Sequence, residues 1–231
     1  PWLEARADGW VALSGCPSAD LNMVHAGNPG AVAALEEAVR LHAGPGLPIL
    51  YTLAEGVNHR DFEQPLEFLV RLPFMGIDLR SASLEADPRV HRAAPADLSA
   101  VDDLMTKAFE LPEGLLREPL ERLLADGGKE AGIWMLRHQG VPVSCVLTSV
   151  VDDLVTVWCM STPPAHARKG FGRALLGHAM LQAREAGGRT GLLSATPAGE
   201  PLYLGMGWSI LEYWGVFARG GAAHPVGQEP G

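Results

Sequence analysis

The sequence predicts an α+β fold: a mixed, mostly antiparallel central sheet flanked by helices, preceded by a smaller α/β N-terminal domain. Three observations carry this expectation. Apolar residues alternate in several short segments on both sides of one long amphipathic helix, so strands come before and after it. The polar stretch Arg80-Ser81-Ala82-Ser83-Leu84-Glu85-Ala86-Asp87-Pro88 has no such alternation and separates two regions that do. The chain's 231 residues, 47% hydrophobic and 19% charged, can bury a real core, and this usage excludes a disordered chain or a coiled coil.

Residues 1–82 read as the N-terminal α/β segment. It holds a helix over 31–41, an apolar run over 48–53, the segment Gln64-Pro65-Leu66-Glu67-Phe68-Leu69 and a strand over 74–79. Residues 83–89 form the linker. A short strand over 90–93 opens the second domain. Pro95-Ala96-Asp97-Leu98 then starts a helix on which Leu98, Val101, Leu104, Met105 and Phe109 recur at three-to-four spacing, with acidic residues early, where the helix dipole favours them. A second helix covers 115–124. Strands over 133–137 and 142–151 flank the Gln139-Gly140 turn, and a third over 154–161 follows Asp152-Asp153, giving an antiparallel meander. A long amphipathic helix over 170–186, an apolar strand over 190–195, a short helix over 201–206 and a closing strand over 208–217 complete a domain spanning 90–219. The tail 220–231, with four glycines and two prolines, reads as a frayed, flexible end. The order helix, apolar run, Gln64–Leu69 segment and strand in the first 80 residues can be laid over the later helix, strand, Glu200-Pro201-Leu202-Tyr203-Leu204 and closing strand. A truncated, degenerate repeat and an unrelated N-terminal cap both stay open.

Charge and cysteine usage narrow the function. Eighteen basic against 27 acidic residues leave a net charge of −9, which gives no general attraction to phosphate backbones or anionic lipid, so nucleic acid is not an expected partner. Cys16, Cys145 and Cys159 are too few and too scattered for a disulfide framework or a CxxC site, which fits a reducing compartment. No apolar run of 18 residues exists and the start lacks a signal-peptide layout, so the expectation is a cytoplasmic protein with no membrane partner. The eight histidines show no HxxxH or HxH spacing, and no metal is expected.

The chemistry concentrates in one run, Val155-Thr156-Val157-Trp158-Cys159-Met160-Ser161-Thr162-Pro163-Pro164-Ala165-His166-Ala167-Arg168-Lys169-Gly170-Phe171-Gly172-Arg173. A strand leads through a proline turn into a loop with two spaced glycines and then a helix. Helix N-termini carry unpaired N–H groups and a positive dipole end, and glycines let anion oxygens approach the backbone, so this is an anion cradle to which Arg168, Lys169 and Arg173 add charge. It is not a dinucleotide fingerprint, because Leu175 stands where a third glycine is needed and the next strand ends Ser194-Ala195-Thr196 without an acid. Nor is it a nucleoside-triphosphate loop, since Gly172-Arg173-Ala174 lacks the Gly-Lys-Ser/Thr ending.

This run resembles the signature of the GNAT superfamily of acyl-coenzyme-A-dependent N-acyltransferases: an apolar strand, a proline, then R/Q-x-x-G-x-G/A opening a helix. Pro164 and the pair Gly170 and Gly172 fit the spacing, while Ala167 stands where Gln or Arg is usual. Leu202-Tyr203-Leu204-Gly205-Met206-Gly207-Trp208 is similar to the family's second element, L-Y-x-x-x-G-F, with Trp208 for Phe and Thr196 where an Asn often lies seven residues earlier. The resemblance covers about residues 90–218.

It implies acetyl-CoA as co-substrate, its pantetheine arm along Met160, Ser161 and Thr162 and its pyrophosphate on the loop formed by Ala167, Arg168, Lys169, Gly170, Phe171, Gly172 and Arg173. Thr196 would add a hydrogen bond. The Met160 N–H would receive the thioester carbonyl and the Tyr203 phenol would serve the departing thiolate. The acceptor would be an amine of a small molecule or peptide attacking directly, and a homodimer is allowed. Asp152, Asp153, Glu110 and Glu113 are the acids considered as general base. Cys159 reads as a small core residue and His178 as structural. The alternative to an active enzyme is an acyl-CoA-binding or inactive pseudoenzyme with a regulatory or assembly role, favoured by the departures at Ala167 and Thr196. Tandem halves of this fold also occur in aminoacyl transferases that use acyl-tRNA, against which the charge of −9 argues.

Overall fold

The computed structural model describes residues 2–6, 8–126 and 131–219, and the tail expected at 220–231 lies outside them. In chain order the elements are β1 (Trp2–Arg6), β2 (Gly9–Leu13), β3 (Asn22–Ala26), α1 (Val32–His42), β4 (Ile49–Leu53), β5 (Glu67–Asp78), β6 (Val90–Arg92), α2 (Leu98–Phe109), α3 (Arg117–Asp126), β7 (Ala131–His138), β8 (Val141–Val151), β9 (Leu154–Ser161), α4 (Phe171–Glu185), β10 (Thr190–Ser194), α5 (Glu200–Leu204) and β11 (Ser209–Arg219). The class is α+β with mostly antiparallel pairing, as the periodicities predict. The chain divides into two compact units, Pro1–Phe74 with Ser194–Glu200 and Ile210–Gly231, and Met75–Leu193 with Pro201–Ser209.

In the first unit β1, β2 and β3 form an antiparallel meander, with Trp2 opposite Leu13 and Gly9 opposite Ala26. Helix α1 then returns the chain so that β4 pairs in parallel with β3, and β11 pairs antiparallel with β4, Gly215 opposite Leu53. Val32, Leu35 and Val39, at three-to-four spacing on α1, pack on Val11, Val24, Tyr51 and Leu53. Fully burying one such side chain as Leu35 contributes about 2 kcal/mol. Two expectations are corrected here. Three strands precede α1 where the sequence reading placed none: each is only five residues long, and Ala, Asn and His among them are weak strand formers. The segment 64–69, laid over a helix by the repeat reading, is loop and strand instead, because Pro65 withholds an N–H and β5 begins at Glu67 and runs 12 residues.

In the second unit the order is β6-β7-β8-β9-β10. The turn between β7 and β8 puts Gln139 at φ 51° and Gly140 at φ 79°, the two left-handed positions of a tight hairpin turn. β8 and β9 pair antiparallel, and β10 runs parallel to β9 after α4 crosses over. Leu175, Leu176, Ala179 and Met180 of α4 are fully buried. The helix stops because Gly187 turns left-handed at φ 107° and the Gly188 N–H donates back to the Ala183 carbonyl at 2.9 Å. A Cβ on Gly188 would collide with Val155, so this position needs glycine for close approach as well. The stretch expected as the linker lies in this unit, where the Asp87 N–H donates to His178 Nδ1 of α4 at 3.1 Å.

Candidate functional site

The site is built on the end of β9 and the start of α4. β10 pairs with β9 only from Thr190 opposite Leu154 to Leu192 opposite Thr156, yet β9 continues to Ser161. The ladder between the two parallel strands thus ends at Thr156, five residues before β9 itself does. Past that point lies a bulge against β8, where Leu147 faces Trp158 but Cys145 faces Ser161, so β9 carries one extra residue. Cys159 absorbs it in a left-handed conformation at φ 48° and is exposed, which corrects its expected place in the core: the bulge turns it out.

After the bulge Met160 is half-buried and Ser161 is fully buried. Ser144 Oγ donates to the Ser161 carbonyl at 2.8 Å and lies 2.7 Å from Thr162 Oγ1, fixing both residues to β8. The Ser161 hydroxyl donates to the Cys159 carbonyl at 2.9 Å, closing the bulge on itself. A single turn at Pro164–His166 follows, ended by the Ala167 N–H donating to the Pro164 carbonyl at 3.1 Å.

Arg168 at φ 61° and Gly170 at φ 79° are both left-handed, which aims successive amides into the space before α4. The first closed helical bond runs from the Ala174 N–H to the Gly170 carbonyl at 3.1 Å, so the amides of Gly170, Phe171, Gly172 and Arg173 have no carbonyl four residues back. Phe171 is buried and anchors the helix start against His138, with ring centroids 5.0 Å apart. A Cβ on Gly172 would lie 3.1 Å from Met160 Cε and 3.5 Å from both Leu202 Cδ2 and Thr162 Oγ1, so glycine here lets the helix start lie against the end of β9.

The three basic side chains behave differently from one another. Lys169 Nζ donates to the Ala165 carbonyl at 2.9 Å, and Arg173 Nη2 donates to the Gly205 carbonyl at 2.9 Å, holding α4 to the end of α5. Arg168 stays exposed at the loop. Charge at the cradle therefore rests on Arg168 and the helix dipole more than on a ring of cations.

Tyr203 lies on α5, which Gly205 and Gly207 terminate. Its ring is 7% exposed and meets Trp208 edge-on with centroids 5.9 Å apart, and burial pushes its phenol up to about 12. It is a neutral donor across the physiological range. Thr196 belongs to the first unit, where its hydroxyl accepts the Gly199 N–H at 3.2 Å and shapes the turn into α5. Asp152 and Asp153 sit at the opposite end of β9 from Met160, some seven residues or roughly 23 Å along the strand. That distance removes them as bases for chemistry at Met160. Glu110 caps α2 at φ 53°. Sequence reasoning missed the bulge, because no glycine or asparagine marks Cys159. Among the described residues no group of three or more His, Cys, Asp or Glu side chains could hold a metal ion.

A meander of antiparallel strands, a parallel ladder that stops short of the end of β9, and an amide-lined helix start beyond it make up the candidate site. Residues 98–207 match the model of the acetyltransferase (GNAT) family. Among solved structures, a GCN5-related N-acetyltransferase from Kribbella flavida is similar over 96% of this chain and 90% of its own, at 17% identity and a TM-score of 0.67. A functionally unknown conserved protein from Staphylococcus epidermidis is similar over 94% and 92%, at 12% identity and a TM-score of 0.64. A GCN5-related N-acetyltransferase from Sphaerobacter thermophilus covers 92% and 76%, at 15% identity and a TM-score of 0.60. At these identities the likeness is one of fold. No curated protein matches the chain.

Proposed function

We propose that the protein is an acetyl-CoA-dependent N-acetyltransferase acting on an amine of a small molecule or peptide. The observation that carries this reading is that the ladder of β9 with β10 ends at Thr156 while β9 runs on to Ser161, with the amides that open α4 beyond it. The residues present fit the coenzyme: amides at the start of α4 for a pyrophosphate, and a strand end that runs on past its ladder with β10 for an amide-containing arm. When bound, acetyl-CoA supplies an activated acyl thioester. Met160, Ser161 and Thr162 hold the arm, with Ser161 contributing backbone alone since its side chain is committed to Cys159. The amides of Arg168 to Gly172 hold the phosphates. The amine attacks directly: a C–N bond forms, the C–S bond breaks, the amine's proton passes to solvent water, and the leaving thiolate departs as the thiol. The Met160 N–H stabilises charge on the carbonyl oxygen, and the neutral Tyr203 hydroxyl donates to the leaving sulfur.

The same reading takes residues 1–82 as an N-terminal domain, 83–89 as linker and 90–219 as the acetyltransferase domain. A repeat relation between the halves is supported by the shared order of a meander, a helix and a parallel strand in β1-β2-β3-α1-β4 and β7-β8-β9-α4-β10. The boundary is one of sequence, since β11 pairs with β4. Binding without catalysis is the second reading, favoured by the engagement of Lys169 and Arg173 elsewhere and by Ala167. A cytoplasmic location is part of the proposal; no helix among the described residues is long and apolar enough to cross a membrane.

Thermal unfolding with and without acetyl-CoA tests binding. At 100 times its dissociation constant a ligand adds about 2.7 kcal/mol, roughly 5–10 °C for a chain of this size. Coenzyme A release over a panel of amines and peptides then separates the readings: release with one acceptor supports the enzyme, and stabilisation without release across the panel supports the binding module.

A further inference from the structure

Within the first unit, α1 packs on the sheet face that carries Val11, Val24 and Tyr51. Their chain neighbours Trp10, His25 and Thr52 point to the other face, because successive strand residues alternate. In the register Trp10 stands opposite His25 and His25 opposite Thr52. Trp214 of β11 and Phe74 of β5 continue this row: the His25 ring centroid lies 5.9 Å from that of Trp10 and 4.4 Å from that of Trp214, and Trp214 stacks on Phe74 at 4.1 Å. Trp10, His25, Phe74, Glu212 and Trp214 are all part-exposed, and the acyl-transfer reading uses none of them.

His25 is held with one ring nitrogen committed and the other open. Its Nδ1 lies 3.0 Å from Thr52 Oγ1, and that hydroxyl donates its hydrogen to the Val24 carbonyl at 3.4 Å. Nδ1 therefore carries the proton shared with Thr52, which leaves a lone pair on Nε2. Nε2 has no partner among the described residues and is within reach of solvent beside exposed Gly27, where a Cβ would lie 3.7 Å from it. Burial lowers the pKa of the ring against the opposing pull of the Glu212 carboxylate, so the imidazole is neutral at neutral pH. Trp214 Nε1 donates to Glu212 Oε1 at 2.6 Å, and Glu212 is in no ion pair among the described residues. The row thus offers two acceptors, one of them anionic, and no basic side chain, among aromatic rings that suit an apolar body. We propose that this row binds a primary ammonium ion carried on an apolar body, the ammonium donating to His25 Nε2 and to Glu212 while the body lies against Trp10, Trp214 and Phe74. The site is argued from the first unit alone and stands whether or not acetyl-CoA binds.

Calorimetric titration of the full chain without coenzyme tests it, using hexylamine and phenethylamine, with phenethyl alcohol and hydrocinnamate as neutral and anionic counterparts of the second. At least one amine should bind once per chain, about tenfold or more tighter than the alcohol, with the carboxylate weakest. His25→Phe keeps the ring stack and removes the acceptor, while Glu212→Gln keeps an acceptor for Trp214 and removes the charge. Each should weaken amine binding about tenfold or more, the range for a lost charged hydrogen bond. In nitrogen NMR the free His25 ring should carry its proton on Nδ1 alone, and the Nε2 resonance should move when the amine is added. Failure of both amines to bind, alcohol binding as tightly as amine, variants that bind like the parent, or a proton on Nε2 of the free protein would each overturn the proposal. Should His25→Phe fail to fold, Glu212→Gln, at a part-exposed position, decides alone.

Discussion

Tyr203 is where side-chain chemistry is most exposed to test. Its burial keeps the phenol protonated, and a proton donor that acts only as the C–S bond breaks lowers the barrier without strengthening coenzyme binding. Tyr203→Phe should therefore cut kcat about 10²- to 10⁴-fold while acetyl-CoA affinity holds, because the ring and its edge contact with Trp208 remain. Unchanged kcat in that variant, measured with a true acceptor, assigns the tyrosine to packing. The raised value also sets a pH dependence. With the folded pKa above the unfolded one, the stabilising contribution is fully present below about pH 10 and is lost as pH rises toward 12, so alkaline unfolding of Tyr203→Phe should begin at higher pH than that of the parent. Gly172 supports a paired prediction. Gly172→Ala needs only the flexible end of Met160 to shift and should bind coenzyme nearly as the parent does. Gly172→Glu brings bulk and negative charge to the cradle and should abolish binding in the same titration.

At the scale of elements, the bulge in β9 sets the geometry on which the proposed oxyanion donor depends. A left-handed non-glycine residue costs roughly 1–2 kcal/mol, which the pairing of β8 with β9 on both sides of the bulge offsets. Cys159→Gly should keep or raise stability in chemical denaturation, whereas Cys159→Val, branched at Cβ, should lower it by about 1–2 kcal/mol and weaken acetyl-CoA binding. Equal stability of the two variants would mean that the conformation is not retained in solution. The elements around this bulge were legible in the sequence: the strand over 154–161 was read in full, and the helix over 170–186 differs from α4 by one residue at each end. Long apolar periods and a glycine-marked helix start made that possible. The bulge was not legible, since a pairing register belongs to two strands and Cys159 alone carries no mark of it. The same limit hid β1 to β3, short strands toward one edge of the sheet, and the first part of the 12-residue β5, whose identity as strands comes from their neighbours.

For the whole molecule, one coenzyme per chain is expected. α1 is preceded by a segment, Ala26-Gly27-Asn28-Pro29-Gly30-Ala31, that has no basic residue, loses a donor at Pro29, and commits the Gly27 and Ala31 amides to Asp8 and Asn28 carbonyls. Calorimetry returning two equivalents would show a second cradle there. The pairing of β4 with β11 carries a different consequence, for the order of events on the ribosome. β4 is buried at all five of its residues, and its partner strand is translated only after residues 54–208. During synthesis the N-terminal unit thus waits with an apolar strand edge unsheltered, a condition that invites chaperone capture or self-association. A nascent chain arrested after β10 should remain protease-sensitive across residues 2–74, and release of β11 should protect β4 and β11 in one step.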